Sequence, residues 1–138
     1  MNKISNWVKY CLEALPCENG YVLDLACGKG RHSIFLSNLG YNVLSVDIDE
    51  YKMNSFNGKL IKKKVIDVEN INNWPLEKEK FDAIIVTNFL NRKIFLPCLH
   101  CAVVISLQFL LGVKKRILIS FKLGMKYLLF LLLTRFQD

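Results

Sequence analysis

Two aspartates and a glycine turn stand close enough along the chain to share one ligand. Asp24 lies inside the apolar run Tyr21-Val22-Leu23-Asp24-Leu25, Gly28 and Gly30 follow in Ala26-Cys27-Gly28-Lys29-Gly30, and Asp47 closes the run Val43-Leu44-Ser45-Val46. Glycines at that spacing let the chain turn tightly and bring backbone N–H groups to a ligand with no Cβ in the way. A carboxylate only accepts hydrogen bonds, and two vicinal hydroxyls can both donate to it, so Asp47 suits a ribose. Asp24, just ahead of the glycines, would repel a pyrophosphate cradled at a helix N-terminus and attract an ammonium group. The dinucleotide fingerprint G-x-G-x-x-G is only nearly met, with Ser33 where the third glycine belongs. S-adenosylmethionine offers an ammonium, a sulfonium and a ribose without phosphate, and this chemistry favours it over NAD.

Such residues need a strand–turn–helix–strand frame to hold them. Val22, Leu23 and Leu25 form the short apolar run of a buried parallel strand. From Arg31 the pattern turns helical, with Ile34, Phe35 and Leu39 on one face and Gly40 where a C-terminal cap belongs. Val43, Leu44 and Val46 make the next strand, and Asp47 sits at its carboxyl end, where open parallel sheets bind ligands. The expected fold is α/β, a Rossmann-like doubly wound and mostly parallel sheet.

Asp24-Leu25-Ala26-Cys27-Gly28-Lys29-Gly30 resembles the first motif of class I S-adenosylmethionine-dependent methyltransferases, D/E-x-G-x-G-x-G, with Ala26 replacing the first glycine. Val46-Asp47-Ile48-Asp49 looks like their ribose-binding acid. The resemblance implies S-adenosyl-L-methionine as cofactor, held by Asp24, Ala26, Cys27, Gly28, Gly30, Asp47, Ile48 and Asp67. In that family an acid at the place of Asp67 accepts a hydrogen bond from the adenine amino group; a helix-capping or loop aspartate is the alternative reading. The resemblance also puts a substrate-facing loop at Asn88-Phe89-Leu90-Asn91-Arg92, so Asn88 and Arg92 are candidates for positioning the methyl acceptor. Asn88 is not followed by the Pro-Pro-Tyr of amine methylation, which argues against bases and glutamine as acceptors. No catalytic base is nominated, because positioning can supply most of the acceleration of an in-line methyl transfer.

The 138 residues suit one domain. Residues 1–121 are expected to form a methyltransferase-like domain, with an N-terminal helix over 1–20 and a cofactor-binding half over 21–68, and 122–138 an apolar tail. Trp7, Val8, Tyr10, Cys11, Leu12 and Leu15 recur at helical spacing after Ser5, a plausible N-cap, and Pro16 and Gly20 end the segment. Glu50–Gly58 is long enough for one short helix, Leu60–Val68 reads as the third strand, Trp74 as a staple between strands, and Phe81–Thr87 as the fourth strand. Five cysteines without a basic, apolar leader suggest reduced thiols in a cytoplasmic protein. Cys98 and Cys101 are read as small buried residues, and no metal site is expected. The net charge of +7 is mostly lysine, and Lys62-Lys63-Lys64 reads as a solvated strand entrance rather than a nucleic-acid groove.

Residues 94–113 carry no charge and are long enough to qualify as a membrane span, but Pro97, His100, Ser106 and Gln108 favour a buried helical region. Ile117–Phe121 would then be the fifth strand, without the Pro-Gly-Gly turn usual in the family, and too little chain follows for its last two strands. The apolar tail around Tyr127–Leu133 is expected not to be the evolved ending: codons for Gly124–Leu128, read one base earlier, can give the Asn-Glu-Ile-Phe that related bacterial proteins carry there. Three functions stay open on this reading. The first is methyl transfer to an unidentified acceptor. The second is an inactive truncated remnant, whose apolar stretches 94–113 or 127–133 contact a membrane or partner and whose open edge and tail favour oligomers or aggregation. The third is a dinucleotide-binding oxidoreductase.

Overall fold

The computed structural model describes residues 4, 6, 8–9, 19–69, 75–76, 78–87 and 89, and the strands 102–111, 113–120 and 132–134 by their pairing. The elements are β1 (Tyr21–Leu25), α1 (Arg31–Asn38), β2 (Asn42–Asp47), α2 (Glu50–Asn54), β3 (Ile61–Val65), β4 (Phe81–Thr87), β5 (Ala102–Leu111), β6 (Val113–Ser120) and β7 (Leu132–Thr134). They form one sheet in the order β3-β2-β1-β4-β5-β6-β7. Pairing is parallel from β3 through β5. The chain runs outward from β1 to β3, then returns to place β4 on the other side of β1. That reversal opens a crevice at the carboxyl ends of β1, β2 and β4, the place where doubly wound sheets bind ligands.

The central strands are buried on both faces, as their mostly apolar sequences require. Under α1, Val22, Leu36, Val43, Ala83 and Ile85 pack together with Val8, which is helical and fully buried. Val8 and the partly buried Ile4 thus pack against a sheet face; Trp7, Tyr10, Cys11, Leu12 and Leu15 lie outside the described residues. Helix α1 ends as the sequence indicates. Gly40 adopts φ 95°, its N–H bonds Ser37 O at 3.1 Å, and Tyr41 N–H reaches back to Leu36 O at 3.1 Å, the paired bonds of a Schellman motif.

Strand β3 stops at Val65, short of the expected Val68. Ile66 N–H still bonds Asp47 O at 2.9 Å, and the Asp67 carboxylate then turns the chain by accepting from Glu69 N–H at 2.9 Å. Lys62 and Lys64 are exposed on this edge strand, which discourages pairing with another sheet. Lys63 is not a solvated lysine: its ammonium donates to Met53 O, Phe56 O and Asn57 Oδ1 at 2.8, 2.7 and 2.9 Å, closing the carboxyl end of α2.

The second half of the sheet departs from expectation. Residues 102–111, inside the expected buried helix of 94–113, form β5, parallel to β4. An uncharged run cannot be assigned to helix or strand by periodicity alone, and the β-branched Val103-Val104-Ile105 favours the strand. The expected fifth strand Ile117–Phe121 falls largely in β6, antiparallel to β5 with Leu111 opposite Val113. Strand β6 is flanked in turn by β7, so the open edge expected at Ile117 belongs to β7, and seven strands stand where five were expected. Trp74, Cys98, Cys101 and Tyr127–Leu131 lie outside the described residues; in the Trp74 connection it is Leu76 that is fully buried. No helix among the described residues is long and apolar enough to cross a membrane.

Candidate functional site

A cavity of about 960 Å³ opens at the carboxyl ends of the strands. Ala26, Cys27, Gly28, Asp47, Ile48 and Asp67 all line it, so six of the eight cofactor-site residues expected from sequence come together. The centre of the arrangement is Asp47. Its Oδ2 accepts from Gly28 N–H at 2.7 Å and its Oδ1 from Asp49 N–H at 2.9 Å. These two bonds fix the plane of the carboxylate and tie the glycine turn to the end of β2. A carboxylate offers about four acceptor positions, so each oxygen keeps one for a ligand donor. A pair of vicinal hydroxyls matches that remainder.

The turn itself is built from left-handed residues. Ala26, Gly28 and Gly30 have φ of 54°, 56° and 67°, while Gly30 N–H closes on Cys27 O at 3.0 Å. A Cβ on Gly28 would meet no protein atom, since the position faces the cavity, whereas one on Gly30 would overlap the Phe56 ring. Gly30 therefore does not line the site; it lets the turn close over Phe56. Gly30→Ala is expected to lower stability by about 2 kcal/mol, from left-handed strain and displacement of the ring, and chemical denaturation measures it. Ala26 already bears that strain where the family motif has glycine. Ala26→Gly should release about 1–2 kcal/mol of strain against about 0.4–1 kcal/mol of unfolded-chain entropy. The expected net is a small gain in melting temperature, and a clear loss would show that the Ala26 methyl packs usefully.

Asp24 is not in the cavity wall. It is 1% exposed, behind the glycine turn, where Ser33 Oγ donates to its Oδ2 at 2.6 Å and Ser45 Oγ to Ser33 Oγ at 2.7 Å. This chain of hydrogen bonds pins α1 onto β1 and β2. Burial pushes the Asp24 carboxyl up to about 6, only partly offset by the Ser33 hydrogen bonds. The carboxylate expected to attract an ammonium group is thus spent on the fold. Cys27 is also turned to the protein: its thiol donates to Met53 Sδ at 3.3 Å, and burial raises its pKa, which leaves it an inert thiol. Asp67 lines the cavity, and its Oδ1 accepts from Glu69 N–H, the bond of a loop aspartate. Asn88 and Arg92 lie outside the described residues; their neighbour Phe89 lines the cavity.

Sequence reasoning did not single out several residues of the wall. Phe56, Tyr51, His32 and Thr87 also line the cavity. Tyr51, 85% exposed, and Ile48, 65% exposed, form an apolar lip beside Asp47. His32 is 2% exposed, in the first turn of α1, with Nδ1 3.4 Å from Thr87 Oγ1. Its place directly after the glycine turn was the available signal. No group of side chains suited to a metal ion occurs among the described residues.

A parallel sheet in the order β3-β2-β1-β4-β5, a glycine turn after β1 and an acid closing β2 define the class I methyltransferase fold. The family described as tellurite resistance protein TehB matches residues 6–106, and the chain belongs to that family. Haemophilus influenzae TehB, named for S-adenosyl-L-methionine-dependent methyl transfer, is 38% identical over 89 residues, 56% of this chain and 28% of that protein. Bacillus subtilis YqeM, named as a methyltransferase, is 31% identical over 96 residues, 63% of this chain and 37% of its own length. The crystal structure of Haemophilus influenzae TehB aligns with a TM-score of 0.62 at 26% identity, covering 78% of this chain and 42% of that one. The chain therefore spans roughly a third of the length of the curated relatives it matches.

Proposed function

We propose that the chain binds S-adenosyl-L-methionine and transfers its methyl group to an acceptor that neither the sequence nor the fold identifies. The observation that carries the reading is the Asp47 carboxylate, oriented by two backbone N–H groups at the carboxyl end of β2 with an acceptor position left on each oxygen. Asp47 would take the ribose hydroxyls, Ile48 and Tyr51 the adenine faces, and Asp67 the adenine amino group. Gly28 leaves room for close approach of the ligand. When bound, the cofactor supplies a methyl group made electrophilic by its sulfonium. The protein's part would be to hold the cofactor and the acceptor so that the transfer is in line. Asn88 and Arg92, on the segment after β4, remain our candidates for positioning the acceptor, with Phe89 in the wall beside them.

With Asp24 withdrawn, its charge no longer separates S-adenosylmethionine from NAD. The preference now rests on family membership and on the relatives' names. We take residues 1–121 as the methyltransferase unit, with 122–138 following it and adding β7 at the sheet edge, and we place the protein in the cytoplasm. Titration calorimetry of the full chain with S-adenosylhomocysteine and with NAD tests the reading. Binding of S-adenosylhomocysteine alone is expected; binding of NAD alone would replace the methyltransferase assignment with a dinucleotide one.

A further inference from the structure

Helix α2 supplies part of the cavity wall, with Tyr51 and Lys52 inside it and Ser55 and Phe56 just after it, yet it is five residues long. A helix that short has no stability of its own, so its position rests on what holds its two ends. At the first end Asp49 N–H bonds Asp47 Oδ1 at 2.9 Å, and Asp49 Oδ1 accepts from Lys52 N–H at 3.0 Å. At the other end stands Lys63, reaching across from β3. Strand alternation puts Ile61 on the same face, where it packs against the cluster of Cys27, Met53 and Phe56. We infer that Lys63 is a positioning residue for the nucleoside half of the cofactor: by gripping the end of α2 it sets the Tyr51–Phe56 side of the cavity. This rests on the cofactor reading above.

The Lys63 ammonium donates to Met53 O, Phe56 O and Asn57 Oδ1, so its three N–H donors are all committed and none is left for a ligand. Lys63 does not line the cavity, so whatever it does there passes through the segment it grips. Hydrogen bonds from a charged donor are the stronger kind, and two of these satisfy carbonyls at the end of α2 and just beyond it. The same charge lies 5.1 Å from the centroid of the Phe56 ring. That ring fills the space where a Cβ on Gly30 would stand, and Met53 Sδ accepts the Cys27 thiol at 3.3 Å. One lysine thereby ties the end of α2 to the underside of the glycine turn.

The test pairs variants of the full chain with two ligands that share adenosine. S-adenosylhomocysteine has the amino-acid end, and 5′-methylthioadenosine lacks it. Lys63→Met leaves the two carbonyls without their cation and releases the Phe56 segment. A binding-competent wall reduced to about a tenth of the population weakens both ligands about tenfold, and that is the expected result. Lys63→Arg keeps a cation with several donors and should return both affinities to within about threefold of the parent. Ile85→Val, in the core under α1, also lowers stability but should leave both affinities within about twofold. Lys63→Gln keeps a neutral amide donor and should fall between the parent and Lys63→Met; it carries the test if the methionine variant does not fold. Titration calorimetry reads the affinities. Unchanged affinity in the folded variant, an arginine variant no better than the methionine one, or an equal loss from Ile85→Val would overturn the assignment and leave Lys63 a support of the fold alone. A loss confined to S-adenosylhomocysteine would overturn it too, by moving the effect to the amino-acid end. If the unaltered chain binds neither ligand, the cofactor reading fails and this assignment with it.

Discussion

Asp47→Ala is expected to weaken S-adenosylhomocysteine binding at least about a hundredfold, because two hydrogen bonds to a charged acceptor disappear, each worth about 1.5–3 kcal/mol. The structure adds a second loss to the first. Gly28 and Asp49 N–H groups lose the carboxylate that holds them, so the glycine turn and the start of α2 lose their common anchor. Some of the affinity therefore goes with the pre-organised turn rather than with the ligand contacts themselves. Asp47→Asn separates the two: it keeps one acceptor oxygen but turns an amide donor toward a backbone N–H or a ribose hydroxyl. Its affinity should fall between those of the parent and the alanine variant. Calorimetric titration decides the matter, with a thermal melt beside it to confirm that each variant is folded. A dissociation constant that alanine leaves unchanged would remove Asp47 from the site.

The cofactor half of the fold was legible because its signals are local. Short apolar runs set β1 and β2 and a helical period set α1, and Gly40 ended the helix by the motif its position suggested. The glycine turn and Asp47 were readable together because β1 and β2 are adjacent in chain and sheet, so residues near in sequence meet in space. Asp24 was misread for a reason the sequence does not contain. Strand alternation puts Val22 and Asp24 on one face, but only the packed helix shows that Ser33 covers that face. A carboxylate in a strand next to a ligand loop can serve the ligand or the helix, and here it serves the helix. The region after β4 failed differently. An uncharged run has no periodicity to read, and its partner in the sheet is the only thing that makes 102–111 a strand. Lys63 shows the same limit on a smaller scale: within a basic triplet, one lysine finds three acceptors that only the fold brings together.

The buried pair Asp24 and His32 should give stability a pH dependence that is concealed in the parent and exposed in either variant. Burial raises the Asp24 carboxyl from 3.8 to about 6. Between about pH 4 and 6 the folded chain therefore holds more of this proton than the unfolded chain, and stability falls as pH rises through that window. Burial moves His32 the other way, from 6.5 to about 4. Across nearly the same window the unfolded chain holds more of the imidazole proton, so stability rises with pH. Each shift corresponds to about 3 kcal/mol, and the two oppose. Their sum should be nearly flat between pH 4 and 6. Asp24→Asn removes the falling contribution and keeps an acceptor for Ser33 Oγ. Relative to the parent it should gain stability from pH 4 to pH 7, by about 1–3 kcal/mol at the upper end. His32→Gln removes the rising contribution, and its stability relative to the parent should fall over the same range. Urea denaturation of the three chains at half-unit steps from pH 4 to 8 reads the differences directly, and exposed carboxylates common to all three cancel. Differences that stay constant with pH would mean that neither group is held out of water as the structure places it. Opposite slopes would locate both groups in the core beneath the cofactor turn.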